Sequence, residues 1–351
     1  MRRWESGAST PMPGFVPAPA SAIGVDRYAL DLLLHTEQPM SAHPWEKSEL
    51  MRRLHHSALG PETIEQVSLA VEGLCCDYAW RSPHDLLAEA RAQLDYLSTH
   101  LNGPCTLTQH RDLLIQAGWL LLLSGCVEYD IGQRGQADRS RQAALRIGQE
   151  TGVGEIIGWS FEMLAWFALT RGDLTEVGRF AQAGVEAAGS SSVAVQLKAQ
   201  AAKAAARLGD TVAVDRVLDD GYTILARHDR PARPDNHFVV DPAKWDFYAM
   251  DCYRVVGQNH KAHAHAREVL KLGKAPMRVT EAQLTLAVLD IRAHDLDGAA
   301  HWVDQALAAE RKSIDSLLMV ATEVERGLAG DKAGERVLGP IRQARESYIP
   351  R

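Results

Sequence analysis

The sequence predicts an all-α fold built as a solenoid of paired helices, and three observations predict it. The first is length. At 351 residues the chain exceeds the size at which a single compact core usually divides, whereas a stack of repeats escapes that limit because each repeat buries its apolar face only against its neighbours. The second is composition: Ala and Leu are abundant, aromatics make up 6% and charged residues 24%, a mixture that suits packed helices better than sheets. The third is an internal register. Gly132, Gly172, Gly209 and Gly257, with His294 as an atypical fifth, are separated by 40, 37, 48 and 37 residues. Five positions after each stands a small or β-branched residue (Ala137, Val177, Val214, Ala262, Ala299). Twelve after stands another (Ala144, Gly184, Gly221, Val269, Ala306), and thirteen after a larger apolar residue (Leu145, Val185, Tyr222, Leu270, Leu307).

In chain order, residues 62–101 read as one helical hairpin, with Ser82-Pro83 as its turn and Asn102-Gly103-Pro104 closing it. The five register positions then each end a first helix and turn the chain, since glycine tolerates the left-handed conformation found there. The small residue one turn into the second helix lets the pair approach closely, and the residues two turns later meet the following repeat. His228-Asp229-Arg230-Pro231-Ala232-Arg233-Pro234-Asp235-Asn236-His237 cannot continue a helix and accounts for the 48-residue spacing; loops of this length are uncommon unless functional or disordered. Residues 313–347 read as a last pair, broken near Gly330-Asp331.

Asp173-Leu174 and Asp295-Leu296 at the turns, and Ala299 with Ala306-Leu307 in the second helix, resemble the tetratricopeptide-type hairpin over about residues 105–312. That resemblance implies a right-handed superhelical α-solenoid, with the first helix of each pair lining a broad concave groove open to solvent. The spacings here exceed the usual 34 residues, implying extended helices and loops.

Several function classes are disfavoured. A net charge of −7 does not suit a surface that grips phosphate backbones. Five cysteines (Cys75, Cys76, Cys105, Cys126, Cys252) with no CxxC pair read as reduced thiols of a cytoplasmic protein. The apolar stretch Leu113 to Val127 is too short to span a membrane. Prolines follow Arg2-Arg3 where a signal sequence needs an apolar region. Of the 14 histidines, His260 and His263 could share a helix face, but no carboxylate or cysteine completes a ligand set, and His55-His56 diverge, so no metal is expected. Nucleophile elbows, phosphate loops and metalloprotease motifs are all missing, and Glu128 and Asp130 are two apart on a helix rather than paired. No enzyme and no cofactor are expected.

Binding has more support. Polar and aromatic residues interleave on three successive first helices: Trp159, Glu162 and Trp166; Gln196, Gln200 and Lys203; Lys244, Trp245, Tyr248 and Asp251. Gln196, Gln200 and Lys203 share one face at i, i+4, i+7, and Lys244, Tyr248 and Asp251 repeat the spacing. Glutamines and a lysine suit an extended peptide backbone, and tryptophans suit apolar pockets. Trp159, Glu162, Trp166, Gln196, Gln200, Lys203, Lys244, Tyr248 and Asp251 are therefore the candidate ligand or peptide site. For any one residue the alternative is inter-repeat core or a solvated polar stripe.

The opening Arg3-Trp4-Glu5, with Gly7 and Pro11, resembles the end of a Cro/phage-repressor-type (XRE) helix-turn-helix domain. The stretches 113–130, 191–197 and especially 235–254 are similar to the carboxy-terminal, tetratricopeptide-like domain of XRE regulators of the actinomycete type. The resemblance implies three segments: 1–11 the remnant of a helix-turn-helix domain, 12–61 a linker, and 62–347 the repeat domain. It further implies a ligand- or peptide-sensing, protein-interaction domain of a transcriptional regulator. DNA would be reached only through a helix-turn-helix domain absent from this chain or supplied by a partner, because major-groove reading needs the two-helix unit. The partner on the concave face would be a short peptide, a small molecule or a protein, and the reading leaves room for a homodimer. The alternative is a helical-repeat scaffold that recruits a partner protein without ligand or DNA.

Overall fold

The computed structural model describes residues 24, 26, 51–52, 55–272, 275–309, 314–328 and 334–348. The chain divides between His55 and His56 into two compact units. The expected helix-turn-helix remnant lies outside the described residues, as does most of the expected linker.

Fourteen helices and no strand occur among the described residues. They are α1 (Pro61–Asp77), α2 (Pro83–Leu101), α3 (Leu107–Asp130), α4 (Arg134–Thr151), α5 (Gly154–Arg171), α6 (Leu174–Ala188) and α7 (Val193–Arg207). Then follow α8 (Thr211–Leu225), α9 (Pro242–Val255), α10 (Asn259–Leu272), α11 (Pro276–Arg292), α12 (Leu296–Ala308), α13 (Ile314–Gly327) and α14 (Glu335–Tyr348). Among these no helix is long and apolar enough to cross a membrane.

Local chemistry sets the helix starts. Proline occupies the first turn of α1, α2, α9 and α11, where its missing N–H costs nothing. Thr106 and Gln109 form a reciprocal capping box at α3. Asp210, Asp241 and Asp295 accept the backbone N–H three residues on, at 2.9, 2.7 and 2.9 Å.

The turns follow the register. Gly132, Gly172, Gly209 and Gly257 have φ of 79°, 82°, 78° and 76°, and His294, at 63°, is the non-glycine residue with positive φ among the described residues. One hydrogen bond recurs in all five turns: the N–H of Gln133, Asp173, Asp210, Gln258 and Asp295 donates to the carbonyl of Glu128, Ala168, Ala205, Tyr253 and Asp290, at 2.8 to 3.0 Å. This is the 6→1 bond of a Schellman turn, which satisfies a carbonyl the helix end would otherwise orphan.

The small positions pack as their size requires. Ala137, Val177, Val214, Ala262 and Ala299 are all fully buried. A Cβ on Gly184 would come within 2.7 Å of a Leu197 methyl and 2.9 Å of Phe161 Cβ, and one on Gly221 within 2.5 Å of the Trp245 ring. Small residues there set the distance between neighbouring hairpins. The next position is only half-buried, and Tyr222 is exposed. One residue is about 100° of helix, which carries that side chain out of the contact to its rim.

Helices pair in order (α3–α4, α5–α6, α7–α8, α9–α10, α11–α12), and the first helix of each pair also touches the first helix of the next, from α3 through α13. This row does not stay open. α13 also meets α5, where Met319 packs against the apolar cluster of Ala165, Leu169 and Ala204. The expectation of one broad concave groove open to solvent is corrected here: α13 reaches α5 across the row, and residues between 234 and 241 line the same space as the first helices.

Candidate functional site

The segment between α8 and α9 is held as a strap. The His237 N–H donates to the Cys75 carbonyl at the end of α1 (3.1 Å), and its ring lies 4.0 Å from that of Tyr78. Phe238, buried, sits against Trp119 of α3 and Trp159 of α5, with ring centroids 5.5 and 5.2 Å apart. The Lys244 ammonium, from the first turn of α9, donates to the carbonyls of His237 (2.6 Å) and Val239 (3.2 Å). Burial, aided by the nearby Arg278, pulls the Lys244 ammonium down to about 8 in spite of Glu162 and Asp241.

Beneath the strap lies a cavity of about 360 Å³. Seven of the nine predicted site residues line it: Glu162, Trp166, Gln196, Gln200, Lys203, Lys244 and Tyr248. Gln196, Gln200 and Lys203 are no solvated stripe, being 4%, 4% and 5% exposed. Glu162 Oε1 accepts from both Gln196 Nε2 (2.8 Å) and Gln200 Nε2 (2.7 Å). Burial raises the Glu162 carboxyl, and the two amides with Lys244 and Lys203 oppose the rise. Because both amide nitrogens face one carboxylate oxygen, both amide carbonyls must face away from it. Gln196 Oε1 and Gln200 Oε1 are buried and have no hydrogen-bond partner among the described residues. Lys203 Nζ lies 5.4 and 5.5 Å from the ring centres of Phe247 and Tyr248, a cation–π placement.

Two predicted residues do not line the cavity. Trp159 is fully buried, edge-to-face with Phe238 at 5.2 Å and with the Lys244 ammonium 5.1 Å over its ring, so it packs in the core and does not line the cavity. Asp251 belongs to a buried ion network. Its carboxylate faces Arg207 Nη1 (2.9 Å), Lys203 Nζ (3.8 Å) and Arg254, and the fully buried Arg254 reaches Glu323 of α13 at 2.6 Å. Burial alone would raise Asp251, but Arg207, Lys203 and Arg254 hold it well below the usual carboxylate range. The i, i+4, i+7 spacing placed Asp251 on the right face. Its depth on the helix gives it to the cations instead.

Other lining residues escaped sequence reasoning. Glu281 of α11 was within reach, for it stands thirteen residues before His294 as Gln196 and Lys244 stand thirteen before Gly209 and Gly257. Burial first, with Asp251 adding to it, raises Glu281 to about 7 in spite of Lys203, Arg254 and Arg207. Arg278, Tyr78 and the strap residues carry no such signal, because distant segments bring them there. Arg278 Nη1 lies 3.5 Å from Asp241 Oδ1 and has no hydrogen-bond partner among the described residues.

Polar side chains of Glu162, Gln196, Gln200, Lys203 and Lys244 and the aromatic residues Trp166, Phe247 and Tyr248 line one space, the composition of a recognition site. Among the described residues no group of three or more His, Cys, Asp or Glu is placed to hold a metal ion. No protein-family model matches the chain, and no curated protein matches it significantly.

Proposed function

We propose that the chain is the ligand-sensing part of a transcriptional regulator, a right-handed superhelix of tetratricopeptide-like hairpins holding its ligand in the cavity beneath the strap. The observation that carries the ligand reading is the cavity of about 360 Å³ walled by Glu162, Gln196, Gln200, Lys203 and Lys244, polar side chains that are at most 7% exposed.

The superhelical reading draws on the five-fold turn register and the return of α13 to α5. The regulatory reading rests on the resemblance of 235–254 and of the opening residues to XRE regulators. In it DNA is contacted by a helix-turn-helix domain and not by the helical array. A ligand shifts such a regulator only by binding one arrangement of the stack better than another. The path from cavity to carboxy terminus is Lys203, Asp251, Arg254 and Glu323, a chain of ion pairs from α7 through α9 to α13.

The test is thermal melting of the whole chain against a fractionated small-molecule extract of the native host. A ligand at a hundred times its Kd stabilises by about 2.7 kcal/mol, roughly 4 °C for a protein of this size. One fraction is expected to give such a shift and to lose it in Gln196→Met/Gln200→Met. A shift of equal size in the variant removes this site, and no shift from any fraction removes the sensing reading.

A further inference from the structure

We infer that the cavity binds an organic anion head-first: a carboxylate that meets Lys203 and Tyr248 at depth, carrying an apolar tail that runs out past Trp80 and Leu272. The inference rests on the sensing reading above and deepens it.

The head follows from what Lys203 lacks. Lys203 of α7, Tyr248 of α9 and Glu281 of α11 border the cavity, each more than nine-tenths buried. Among the described residues Lys203 Nζ, Tyr248 Oη and the Glu281 carboxyl make no hydrogen bond, yet none of these heads is sealed in protein. The surface they keep is therefore on the cavity. Among the described residues the Lys203 ammonium has one carboxylate within 4 Å, Asp251, whose Oδ2 at 3.8 Å is too far for a hydrogen bond. Asp251 is shared with Arg207 and Arg254. Two carboxylates, Asp251 and Glu323, thus answer four cations, Lys203, Arg207, Arg254 and Arg292. An ammonium whose hydrogens have no acceptor calls for a strong one, and a charged oxygen is the strongest. The Tyr248 phenol, whose ring centre lies 5.5 Å from Lys203 Nζ, can donate to the same group.

The sign of the head follows from the other charged groups on the wall, which are already answered. Glu162 accepts both glutamine amides, and Asp235 pairs with Arg233 at 3.4 Å. Asp241 caps α9 at 2.7 Å and faces Arg278 at 3.5 Å, while Lys244 donates to two strap carbonyls. Glu281, raised chiefly by burial to about 7, meets the same need by holding a proton. A cationic head would find the wall carboxylates engaged or protonated and would stand beside the under-neutralised Lys203.

The tail follows from the wall and the mouth. Trp166, Phe247 and Met277 give the wall its apolar character. Trp80, just after α1, and Leu272, at the end of α10, border the same cavity, yet each is about half exposed. Polar heads at depth and apolar side chains at the opening order the ligand, charge inward and hydrocarbon outward. The volume of about 360 Å³ falls within the range of small-molecule pockets.

The test is isothermal titration of the whole chain with matched eight-carbon probes, octanoate, octanamide and octylammonium, and with butanoate, hexanoate and decanoate for length. Octanoate is expected to bind about tenfold tighter than octanamide or better, with octylammonium the weakest of the three. Each buried methylene tightens binding by up to about fourfold, so affinity should climb from butanoate to decanoate. Lys203→Met should bring octanoate to the level of octanamide and leave octanamide itself unchanged. Tyr248→Phe, which keeps the ring, should weaken octanoate about threefold or more and serves if the lysine variant does not fold. Trp80→Ser, at the exposed mouth, should flatten the rise from hexanoate to decanoate and spare butanoate. Octanamide or octylammonium binding as tightly as octanoate, or octanoate indifferent to both Lys203→Met and Tyr248→Phe, overturns the anionic head. A length series that Trp80→Ser leaves unchanged overturns the outward tail. Should every carboxylate fail at millimolar concentration while the host fraction keeps its Gln-dependent shift, the ligand class falls and the sensing reading stands. Should octanoate discriminate as expected while no host fraction shifts the melting, the class stands and sensing falls.

Discussion

Replacing Glu281 by Gln is expected to stabilise the protein in alkaline solution and to do little in acid. Glu281 is 5% exposed on the cavity wall, and its carboxyl is raised from 4.5 to about 7, burial being the main cause. A carboxyl whose folded pKa exceeds its unfolded value holds its proton longer in the native state. Stability therefore falls as pH rises between those two values and stays low above the upper one. At 1.36 kcal/mol per pH unit, the interval from 4.5 to 7 corresponds to roughly 3 kcal/mol, the cost of ionising Glu281 inside the stack. Glutamine carries no such cost. Urea unfolding of both proteins at pH 5 and pH 8 should show the variant gaining roughly 2–3 kcal/mol relative to wild type between the two conditions. Titrations common to both proteins cancel in that difference. A gap that does not change with pH, or one that favours wild type at pH 8, would refute the argument that burial outweighs Lys203, Arg254 and Arg207 at this site.

Asp251→Asn should lose about 3–5 kcal/mol at pH 7 by urea unfolding, because it leaves Arg207, Lys203 and Arg254 buried without their shared counter-charge. Since Asp251 is held below the usual carboxylate range, its contribution is present at neutral pH and lost on acidification through that depressed pKa. A gap from wild type that did not narrow there would contradict the assignment. On α6, Gly184→Ala should cost about 1–3 kcal/mol through overpacking against Leu197 and Phe161. Gly178→Ala, on the exposed side of that helix with nothing within 4 Å, should gain about 0.5–1 kcal/mol. Melting curves giving the two substitutions the same sign would dismiss the close-approach account of the repeat.

Much of the architecture was legible because it is local. A Schellman turn needs a residue that accepts positive φ and a carbonyl five residues back, so Gly132, Gly172, Gly209 and Gly257 announce it within a few positions. His294 was read as the atypical fifth by spacing, and its φ of 63° places it in the same turn. The small residues five and twelve positions on were legible for the same reason, since their burial follows from helix geometry once the turn is fixed. Tyr222 was not, because a rim position has no size requirement to betray it.

The site was legible in its face but not in its contents. A period of 3.6 residues puts Gln196, Gln200 and Lys203 on one stripe, and the same period puts Asp251 on one stripe with Lys244 and Tyr248. Which of them meets a cavity and which a cluster of arginines depends on neighbours up to about seventy residues away, as with Arg254 and Glu323. Glu281 was within reach of the register had it been carried one hairpin further. Trp159 looked like a ligand pocket because sequence cannot show that Phe238 packs against it.

The sequence by itself determined the helices, their turns and the stripe of polar and aromatic residues along the first helix of each hairpin, all of them consequences of bonds and contacts within about one repeat. Only the tertiary structure decided that this stripe is covered, that α13 meets α5, and that a cavity lined by Glu162, Gln196 and Gln200 remains beneath the strap. The reason is geometric. The path of a stack is the sum of small rotations between hairpins, and the strap's course is fixed by contacts such as His237 on Cys75, which no periodicity along the chain encodes.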